Sequence, residues 1–556
     1  MQTDIQKKVA LPLSLRVLLV AVLGLMAWAY WPVTRGDFVI DDYVFIATAR
    51  MVEAPWVAFW QSHFYEPFYF RPIGVVSWWV AQRAFGLDYL PHALINLALH
   101  SINVLLLVVL LRSLAVRGWV LLAGAALFAL APFSLGPALW PSNRFDLLAT
   151  GFLLLLAKLV LVTLVSARMT MPLLAALLVA IAACWSKELA YPVATAMAFM
   201  VLAARSASWR RRWLVFAALG VAVGGAFAWR HLILADAYAV VMGNPLLAIG
   251  RGLGTLVRLL PGLASSALGG ERGVFWLIGL GLLLTLAVVG ALFARRQAQT
   301  GWDRRLMAEV PPSFGVLAAV TTVALAAIIV QTPLAHLSAP IADGSPFGTI
   351  TFLRFYYAPW AGCAVLAAVL LARAAWPRAL SMVVLLFAIV GGVWLRPLGK
   401  SFAQWVHTDI RPYSVAATAV ADRPAGGEPC LLVFLGTQTK HPLFRMFSDV
   451  TVKARAGSPE HAWRCFVMTE STPWLFVFPL ATPLPEWPMP KITNPDGSAK
   501  PDSTWSTVRY RYRLPPADLA TLPGARFFDW RDGRFVEVTD EVRRGERKVP
   551  SRDWGM

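Results

Sequence analysis

The chain contains little cysteine and few charged residues for its length, and both shortages exclude classes of protein. Four cysteines in 556 residues are too few for a disulfide-built scaffold. Charged residues make up only 15% of the chain, whereas 58% are hydrophobic and the mean hydropathy is +0.61. This balance excludes an ordinary soluble globule. Because several apolar runs reach the roughly 20 residues of a spanning helix, the sequence predicts a polytopic α-helical membrane protein.

Acidic residues are the scarcer charged type, with 31 Asp and Glu against 50 Lys and Arg and a net charge of +19. This basic excess lacks the stripe of cations and interleaved aromatics that a nucleic-acid-binding surface shows, so no nucleic-acid partner is expected. Lys and Arg instead occur in short clusters between apolar runs, which is typical of the cytoplasmic loops of membrane proteins. The predicted partners therefore include membrane lipids.

The basic clusters predict a direction for each of about eleven spanning helices. The first apolar run, from about Val17 to Trp31, follows a basic N-terminus, and we interpret it as an uncleaved anchor with a cytoplasmic N-terminus. We interpret residues 244–268 as peripheral or re-entrant, because a full span there would place the basic loop at residues 295–305 outside. We therefore expect a multi-pass protein of the bacterial inner membrane with an extracytoplasmic C-terminus.

Composition predicts two domains: a transmembrane domain over residues 1–398, with an external loop at about 32–71, and a soluble extracytoplasmic domain over 399–556. The second is expected to be small and α/β or α+β, with a hairpin turning at Asp532-Gly533. Cys430 and Cys465 both lie in it and could pair if it is exported. Within the external loop, Tyr43 to Trp60 is predicted to form a helix lying along the membrane interface.

Two adjacent carboxylates, Asp41 and Asp42, follow the first span closely. Crowded negative charge at a bilayer face lets one carboxylate hold its proton more tightly than usual. Such a pair is suited to general-base catalysis or to binding a cation. If the protein holds a metal ion, we expect these two residues to be its ligands. A hydrated acidic loop is the alternative, and these residues alone leave both interpretations open.

Other polar side chains are predicted at the same membrane face. His92, Asn96 and His100 are spaced four apart, so they share one face of a span and serve either helix–helix hydrogen bonding or a site. The two histidines are separated by roughly 12 Å along the helix, which disfavours a shared metal. Ionisable residues at the outer ends of later spans are either surface anchors or contacts for a lipid-linked phosphate; they are Arg144, Asp146, Lys187, Glu188 and Arg354.

Several short motifs follow one another along the chain: FRPI at residues 70–73, GL at 86–87, HALINLALH at 92–100, NRFDLLA at 143–149, SKE at 186–188 and RFYYAP at 354–359. In their order they resemble the membrane part of the O-mannosyltransferases that carry tetratricopeptide repeats. The resemblance covers roughly residues 10–375 and extends to the GT-C glycosyltransferases, which include the protein O-mannosyltransferases and the aminoarabinose transferase of lipid A. The chain departs from the family in lacking the repeats, and Asn143 stands where the family has Gly.

The resemblance implies transfer of a sugar from a polyprenyl-phosphate carrier to a hydroxyl acceptor on a glycan, lipid or protein at the outer face. Asp41 or Asp42 would then take the acceptor's proton, and its neighbour would orient the acceptor or bind a divalent cation. The implied donor-phosphate contacts are Arg144, Lys187, Arg354 and Arg71, and the further site candidates are His92, Asn96, His100 and Glu188.

Three other functions remain to be weighed. A transporter would need charges near the bilayer midplane and two related halves, and the sequence shows no obvious repeat. A polysaccharide or O-antigen ligase of related fold would depend on basic residues in a large late external loop rather than on an early acid pair. A scaffold would use the external domain to recruit partners without catalysis.

Overall fold

The computed structural model describes residues 13–39, 41–51, 54–60, 70–204, 207–234, 320–329, 354–374, 376–421, 430–435, 448–455, 465–469, 474–476, 511–513 and 524–548. The described part of the chain is mostly helical, as predicted. The predicted re-entrant segment at 244–268 and the predicted span at 274–293 lie outside these residues.

In chain order the helices are α1 (Leu13–Tyr30), α2 (Asp41–Met51), α3 (Pro72–Phe85), α4 (Tyr89–Ser113), α5 (Gly118–Ala129), α6 (Pro132–Leu139), α7 (Arg144–Val165), α8 (Thr170–Cys184), α9 (Ala190–Leu202), α10 (Trp209–Leu234), α11 (Val320–Ile329), α12 (Tyr357–Leu371), α13 (Pro377–Trp405), α14 (Arg411–Ala421), α15 (Ser448–Arg455) and α16 (Thr539–Arg543). The strands are β1 (Cys430–Leu435), β2 (Cys465–Thr469), β3 (Trp474–Phe476), β4 (Arg511–Arg513), β5 (Ala525–Arg531) and β6 (Arg534–Glu537).

The chain forms two compact units. One consists of Met1–Arg35, Ala93–Ala228 and Asn244–Phe402, and the other of Gly36–His92, Trp229–Gly243 and Ala403–Met556. This grouping does not follow the division at residue 399 that composition suggests, because the residues of the first external loop belong with the C-terminal residues. A packing contact between α2 and α15, inside the second unit, accounts for that grouping.

Five helical stretches among the described residues are long and apolar enough to cross a bilayer, or six if the bent pair α5–α6 forms one span. The five are Leu13–Arg35, Tyr89–Ser113, Pro141–Val165, Trp209–Leu234 and Pro377–Ala421. Shorter apolar helices are α8, α9, α11 and α12. The prediction of several membrane-capable helices is confirmed, while the total of eleven and their orientation stay predictions.

The predicted span Trp119–Leu139 is bent by 55° between α5 and α6, where Pro132 begins the second helix. A proline at this point removes a backbone donor, so carbonyl oxygens at the break need other partners. Neighbouring side chains of the first unit supply them. The Tyr30 hydroxyl lies 2.9 Å from the Ala129 carbonyl, Ser134 donates to Phe128 at 2.8 Å, and Trp360 Nε1 donates to Leu127 at 2.9 Å.

The C-terminal sheet has the strand order β2-β1-β5-β6, with β1 parallel to β2 and β5, and β5 antiparallel to β6. The predicted hairpin is confirmed: Trp530 pairs with Phe535, and the turn residues Asp532 and Gly533 have φ values of 49° and 76°. Two consecutive left-handed residues match the twist of a two-residue hairpin. The backbones of Cys430 and Cys465 are register partners on β1 and β2, and their covalent pairing stays a prediction.

The prediction of one interfacial helix from Tyr43 to Trp60 is wrong for its first part. Helix α2 is buried along almost its whole length, because α3 and α15 pack against it inside the second unit. A separate short 3-10 helix, Pro55–Phe59, follows, and only there are the tryptophans at the surface, with Trp56 66% and Trp60 61% exposed. The amphipathic spacing of α2 therefore reflects packing against protein rather than against a membrane.

Candidate active site

The acid pair stands at the beginning of α2, and the two carboxylates occupy different environments. Asp42 is fully buried, and its Oδ2 accepts a hydrogen bond of 2.9 Å from the backbone N–H of Val39. Its own N–H donates to the Val39 carbonyl at 2.9 Å, so the residue closes the turn that starts the helix. Asp41 is the first residue of α2 and is only partly buried. Both benefit from the positive end of the helix dipole.

A third carboxylate, Asp37, lies just ahead of the pair and is held by cations from the C-terminal residues. Its Oδ2 lies 3.4 Å from Arg455 Nη1 and 3.3 Å from Arg411 Nε, and its Oδ1 accepts from the Phe38 N–H at 2.8 Å. Arg455 Nη1 also donates to the Tyr43 hydroxyl at 2.7 Å. Burial raises the pKa of Tyr43 far above its ordinary value, against a lowering by Arg455, so the phenol stays neutral.

Sequence reasoning missed Asp37, Tyr43 and Arg455 as site residues. Asp37 is adjacent to the acid pair in the sequence and could have been included on that ground. Arg455 belongs to no recognisable sequence motif and is 412 residues from Tyr43 along the chain, so only the fold reveals that the two side chains are in contact.

Two more predicted site residues belong to the same unit as the acid pair. His92 is fully buried, with its Nε2 3.3 Å from the Gly86 carbonyl and its ring against Phe38 and Trp78, at centroid distances of 5.1 and 5.3 Å. Arg71 precedes the first turn of α3 and is partly buried. His92 thus packs beside the loop that carries the acids, and its ring position is fixed by aromatic neighbours.

The predicted phosphate contacts Arg144, Lys187 and Arg354 all belong to the first unit. Arg144 begins α7 and is fully buried, and its Nε donates to Asn96 Oδ1 at 3.1 Å. Asn96 in turn donates to the carbonyl oxygens of Pro137 and Trp140 at 3.0 Å each. The predicted polar stripe therefore fixes this arginine at the turn between α6 and α7.

Lys187 forms a buried ion pair with Asp146. A buried cation is costly to desolvate, and an adjacent carboxylate offsets that cost. The ammonium also lies 5.7 Å from the ring centre of Phe355. Glu188, the next residue, is partly buried in the turn between α8 and α9, and its carbonyl accepts from the Tyr191 N–H at 3.2 Å.

Arg354 is partly buried against two aromatic rings. Its guanidinium carbon lies 4.4 Å from the ring centre of Trp140 and 4.9 Å from that of Phe355. Its Nη1 donates to Asn143 Oδ1 at 3.4 Å. Asn143 stands where the family that the motifs resemble has Gly. Its side-chain oxygen accepts a hydrogen bond from Arg354, a predicted phosphate ligand, which a glycine could not do. Phe355 lies beside both Lys187 and Arg354, so the structure brings these two predicted cations to the same aromatic ring.

His100 has a structural role in the packing of the helices. Its Nε2 lies 3.2 Å from the Ala129 carbonyl and must donate to it, so in the neutral ring Nδ1 accepts from the Tyr357 hydroxyl at 2.8 Å. Asn103 Nδ2 donates to the same hydroxyl at 3.1 Å. Both ring nitrogens therefore serve helix packing, which was the alternative left open for this stripe.

The described residues contain no group of three His, Cys, Asp or Glu side chains that could hold a metal ion. Around the acid pair, one oxygen of Asp42 is used by a backbone N–H and Asp37 faces two arginines. A site built for a divalent cation gathers several oxygen ligands, so the described part of the loop does not fit one.

No protein-family model matches the sequence, and no curated protein matches it. Among solved structures, the chain is similar to the Archaeoglobus fulgidus oligosaccharyltransferase complexed with Zn and sulfate, at 15% identity and a TM-score of 0.46, over 80% of this chain and 62% of that one. It is also similar to the enzyme AglB of the same organism in complex with an inhibitory peptide and a dolichol-phosphate, at 14% identity and a TM-score of 0.43, over 80% and 64%.

A third similar structure is ArnT from Cupriavidus metallidurans bound to undecaprenyl phosphate, at 15% identity and a TM-score of 0.36, over 82% of this chain and 86% of that one. These proteins are GT-C glycosyltransferases, the superfamily that the sequence motifs resemble. The chain spans less than two thirds of the length of the oligosaccharyltransferase. With TM-scores below 0.5, the likeness by itself assigns no activity to this chain.

Proposed function

We propose that the chain is an integral membrane glycosyltransferase that moves a sugar from a polyprenyl-phosphate carrier to a hydroxyl acceptor at the extracytoplasmic face. The observation that carries this proposal is the unequal acid pair, since Asp42 is fully buried while Asp41 is only partly buried at the start of α2. The cations Arg144, Lys187 and Arg354 of the first unit and the ordered motifs support it further.

Asp41 is proposed as the general base. A hydroxyl that attacks a sugar carbon must lose its proton as the new bond forms, and a carboxylate within hydrogen-bonding reach can accept that proton. Asp42 is less suited to this role because its side chain is fully enclosed, and its hydrogen bond from the Val39 N–H holds the turn that starts α2. Asp42 therefore positions Asp41 by closing the turn at the beginning of the helix.

Arg354 and Lys187 are proposed to hold the donor phosphate. As the sugar leaves, the phosphate gains negative charge, and fixed cations in a water-poor site stabilise that charge strongly. The Arg354 guanidinium is held over the ring of Trp140, and its planar group is suited to forked hydrogen bonding with phosphate oxygens. Arg144, enclosed and bonded to Asn96, acts mainly by its charge and by fixing the turn at the start of α7.

The deciding experiment measures sugar transfer in membranes from a set of polyprenyl-phosphate sugars, for the wild type and for Asp41→Asn, Asp42→Asn and Asp88→Asn. We expect Asp41→Asn to lower the rate by roughly 100-fold or more, the usual effect of losing a general base. Asp42→Asn should lower both the free energy of unfolding and the rate of sugar transfer. Asp88→Asn is the matched control, an exposed acid in the same unit whose side chain accepts only a local backbone hydrogen bond among the described contacts.

Near-normal transfer by a well-folded Asp41→Asn variant would refute the assignment of the base. Absence of transfer by the folded wild type from every polyprenyl-phosphate donor would refute the proposed activity and leave the ligase and transporter as the functions to test.

A further inference from the structure

A cavity of about 960 Å³ lies in the first unit, between α4, α7, α9, α10, α11 and α12. Its lining is apolar apart from Thr150 and Arg212. The volume is at the upper end of the range of about 300–1,000 Å³ for ligand pockets, so the space is large enough for a substantial molecule. None of the residues proposed for catalysis lines it. The cavity therefore requires an explanation separate from sugar transfer.

One end of the cavity is basic. Arg212 lines it together with residues 202–204, and its Nη1 donates to the Leu202 carbonyl at 2.6 Å. The adjacent Arg211 donates to the Leu164 carbonyl at 3.2 Å. The two arginines thus bind carbonyl oxygens at the C-terminal ends of α9 and α7, where cations are favoured.

Arg212 also has a donor that the described residues leave unmet. Its Nε is buried, and among these residues it has no hydrogen-bond partner. A buried donor without an acceptor costs free energy, so an acceptor at the end of this cavity would be stabilising. An anionic oxygen is the acceptor that a guanidinium binds best.

The described residues that follow α4 and α7, whose last turns line the cavity, include Arg117 and Arg168, and no Asp or Glu occurs among residues 114–117 and 166–169. An apolar chamber with a positive mouth, in a helix bundle of membrane-spanning composition, matches the two halves of a charged lipid.

We propose that this cavity binds an anionic diacyl phospholipid, whose acyl chains occupy the apolar interior and whose phosphate accepts hydrogen bonds from Arg212. A zwitterionic phospholipid would fill the interior equally well and carries the same phosphate, but its choline cation would be repelled by the arginines at this end. None of the residues proposed for the reaction lines this site, and its occupancy is measurable without any activity assay.

The full-length protein, purified in mild detergent, is exposed to vesicles of equal phosphatidylglycerol and phosphatidylcholine, re-isolated, and its retained lipids are counted by native mass spectrometry. We expect phosphatidylglycerol to be retained in preference to phosphatidylcholine. Arg212→Ala should lower that preference by roughly fivefold, the size of one basic residue's attraction for an anionic headgroup. Arg210→Ala, at an exposed arginine that does not line the cavity, should leave the preference unchanged.

Two further variants test the interior. Ala157→Phe and Ala361→Leu place bulk in the cavity from α7 and α12, and each should reduce retention of both lipids in a folded protein. The proposal is overturned if the wild type retains the two lipids equally. It is also overturned if Arg210→Ala lowers the preference for phosphatidylglycerol as much as Arg212→Ala does, since that result would indicate attraction of the lipid to the protein surface. Retention of a polyprenyl phosphate in place of phosphatidylglycerol would overturn it as well.

Discussion

Arg455, the last residue of α15, donates a hydrogen bond of 2.7 Å to the hydroxyl of Tyr43 in α2, although 412 residues separate them in the chain. The same Nη1 lies 3.4 Å from Asp37 Oδ2. The C-terminal residues thereby brace the loop and helix that carry the acid pair. This contact gives part of the C-terminal region a structural role within the second unit.

Removal of this brace should weaken the fold and the proposed reaction together. In Arg455→Ala, Asp37 and Tyr43 lose a charge-assisted partner in a buried setting, and we expect unfolding free energy to fall by about 1.5–3 kcal/mol. The rate of sugar transfer should fall as well, because α2 is less well held. Thermal unfolding in detergent and transfer assays check this, with Arg534→Ala on the exposed edge of β6 as control. Unchanged unfolding in Arg455→Ala would contradict the bracing role.

Variants of the Asp146–Lys187 pair distinguish its contribution to stability from the contribution of Lys187 to sugar transfer. Loss of one partner leaves the other charged and buried, so Asp146→Asn or Lys187→Met alone should destabilise the protein by about 3–5 kcal/mol. The double variant should recover much of that stability, since neither charge is then left unpaired. We expect the double variant to remain defective in transfer, because the donor phosphate has lost Lys187. Restored transfer in the stable double variant would remove Lys187 from the phosphate site.

Tyr357 should matter for stability and not for chemistry. Tyr357→Phe deletes the hydroxyl that donates to His100 and accepts from Asn103, leaving two buried groups short of a partner. We expect a loss of about 1–3 kcal/mol in unfolding free energy. Transfer per folded molecule should be unchanged. A selective fall in the transfer rate at normal stability would place this cluster in the site instead.

Close packing of α4 against α7 is tested at Gly151. A Cβ atom added there would meet Asn103 Oδ1 at 2.5 Å, and that side chain is held by hydrogen bonds to Leu147 and Tyr357. We therefore expect Gly151→Ala to lower the melting temperature. Gly220→Ala is the matched control, because nothing lies within 4 Å of an added Cβ on α10 and alanine favours a helix by about 1 kcal/mol. Equal melting temperatures for the two variants would show that the helices can separate at no cost.

The sequence by itself determined which stretches are apolar enough for a bilayer, where the basic loops fall, that His92, Asn96 and His100 share a helix face, and that a hairpin turns at Asp532-Gly533. Each of these is a local property, set by composition, by the period of a helix or by the φ values that a turn requires. Local patterns also located the acid pair and the cations of the proposed site.

Only the tertiary structure decided which acid is enclosed, which cations lie together, and what holds the loop that carries the acids. Asp41 and Asp42 are adjacent and chemically identical, yet Asp42 is fully buried and accepts a hydrogen bond from Val39 while Asp41 is only partly buried. Arg455 reaches Tyr43 across most of the chain, and burial of α2 depends on helices distant in sequence. No local pattern encodes such contacts, because they arise from the packing of segments whose separation along the chain carries no signal.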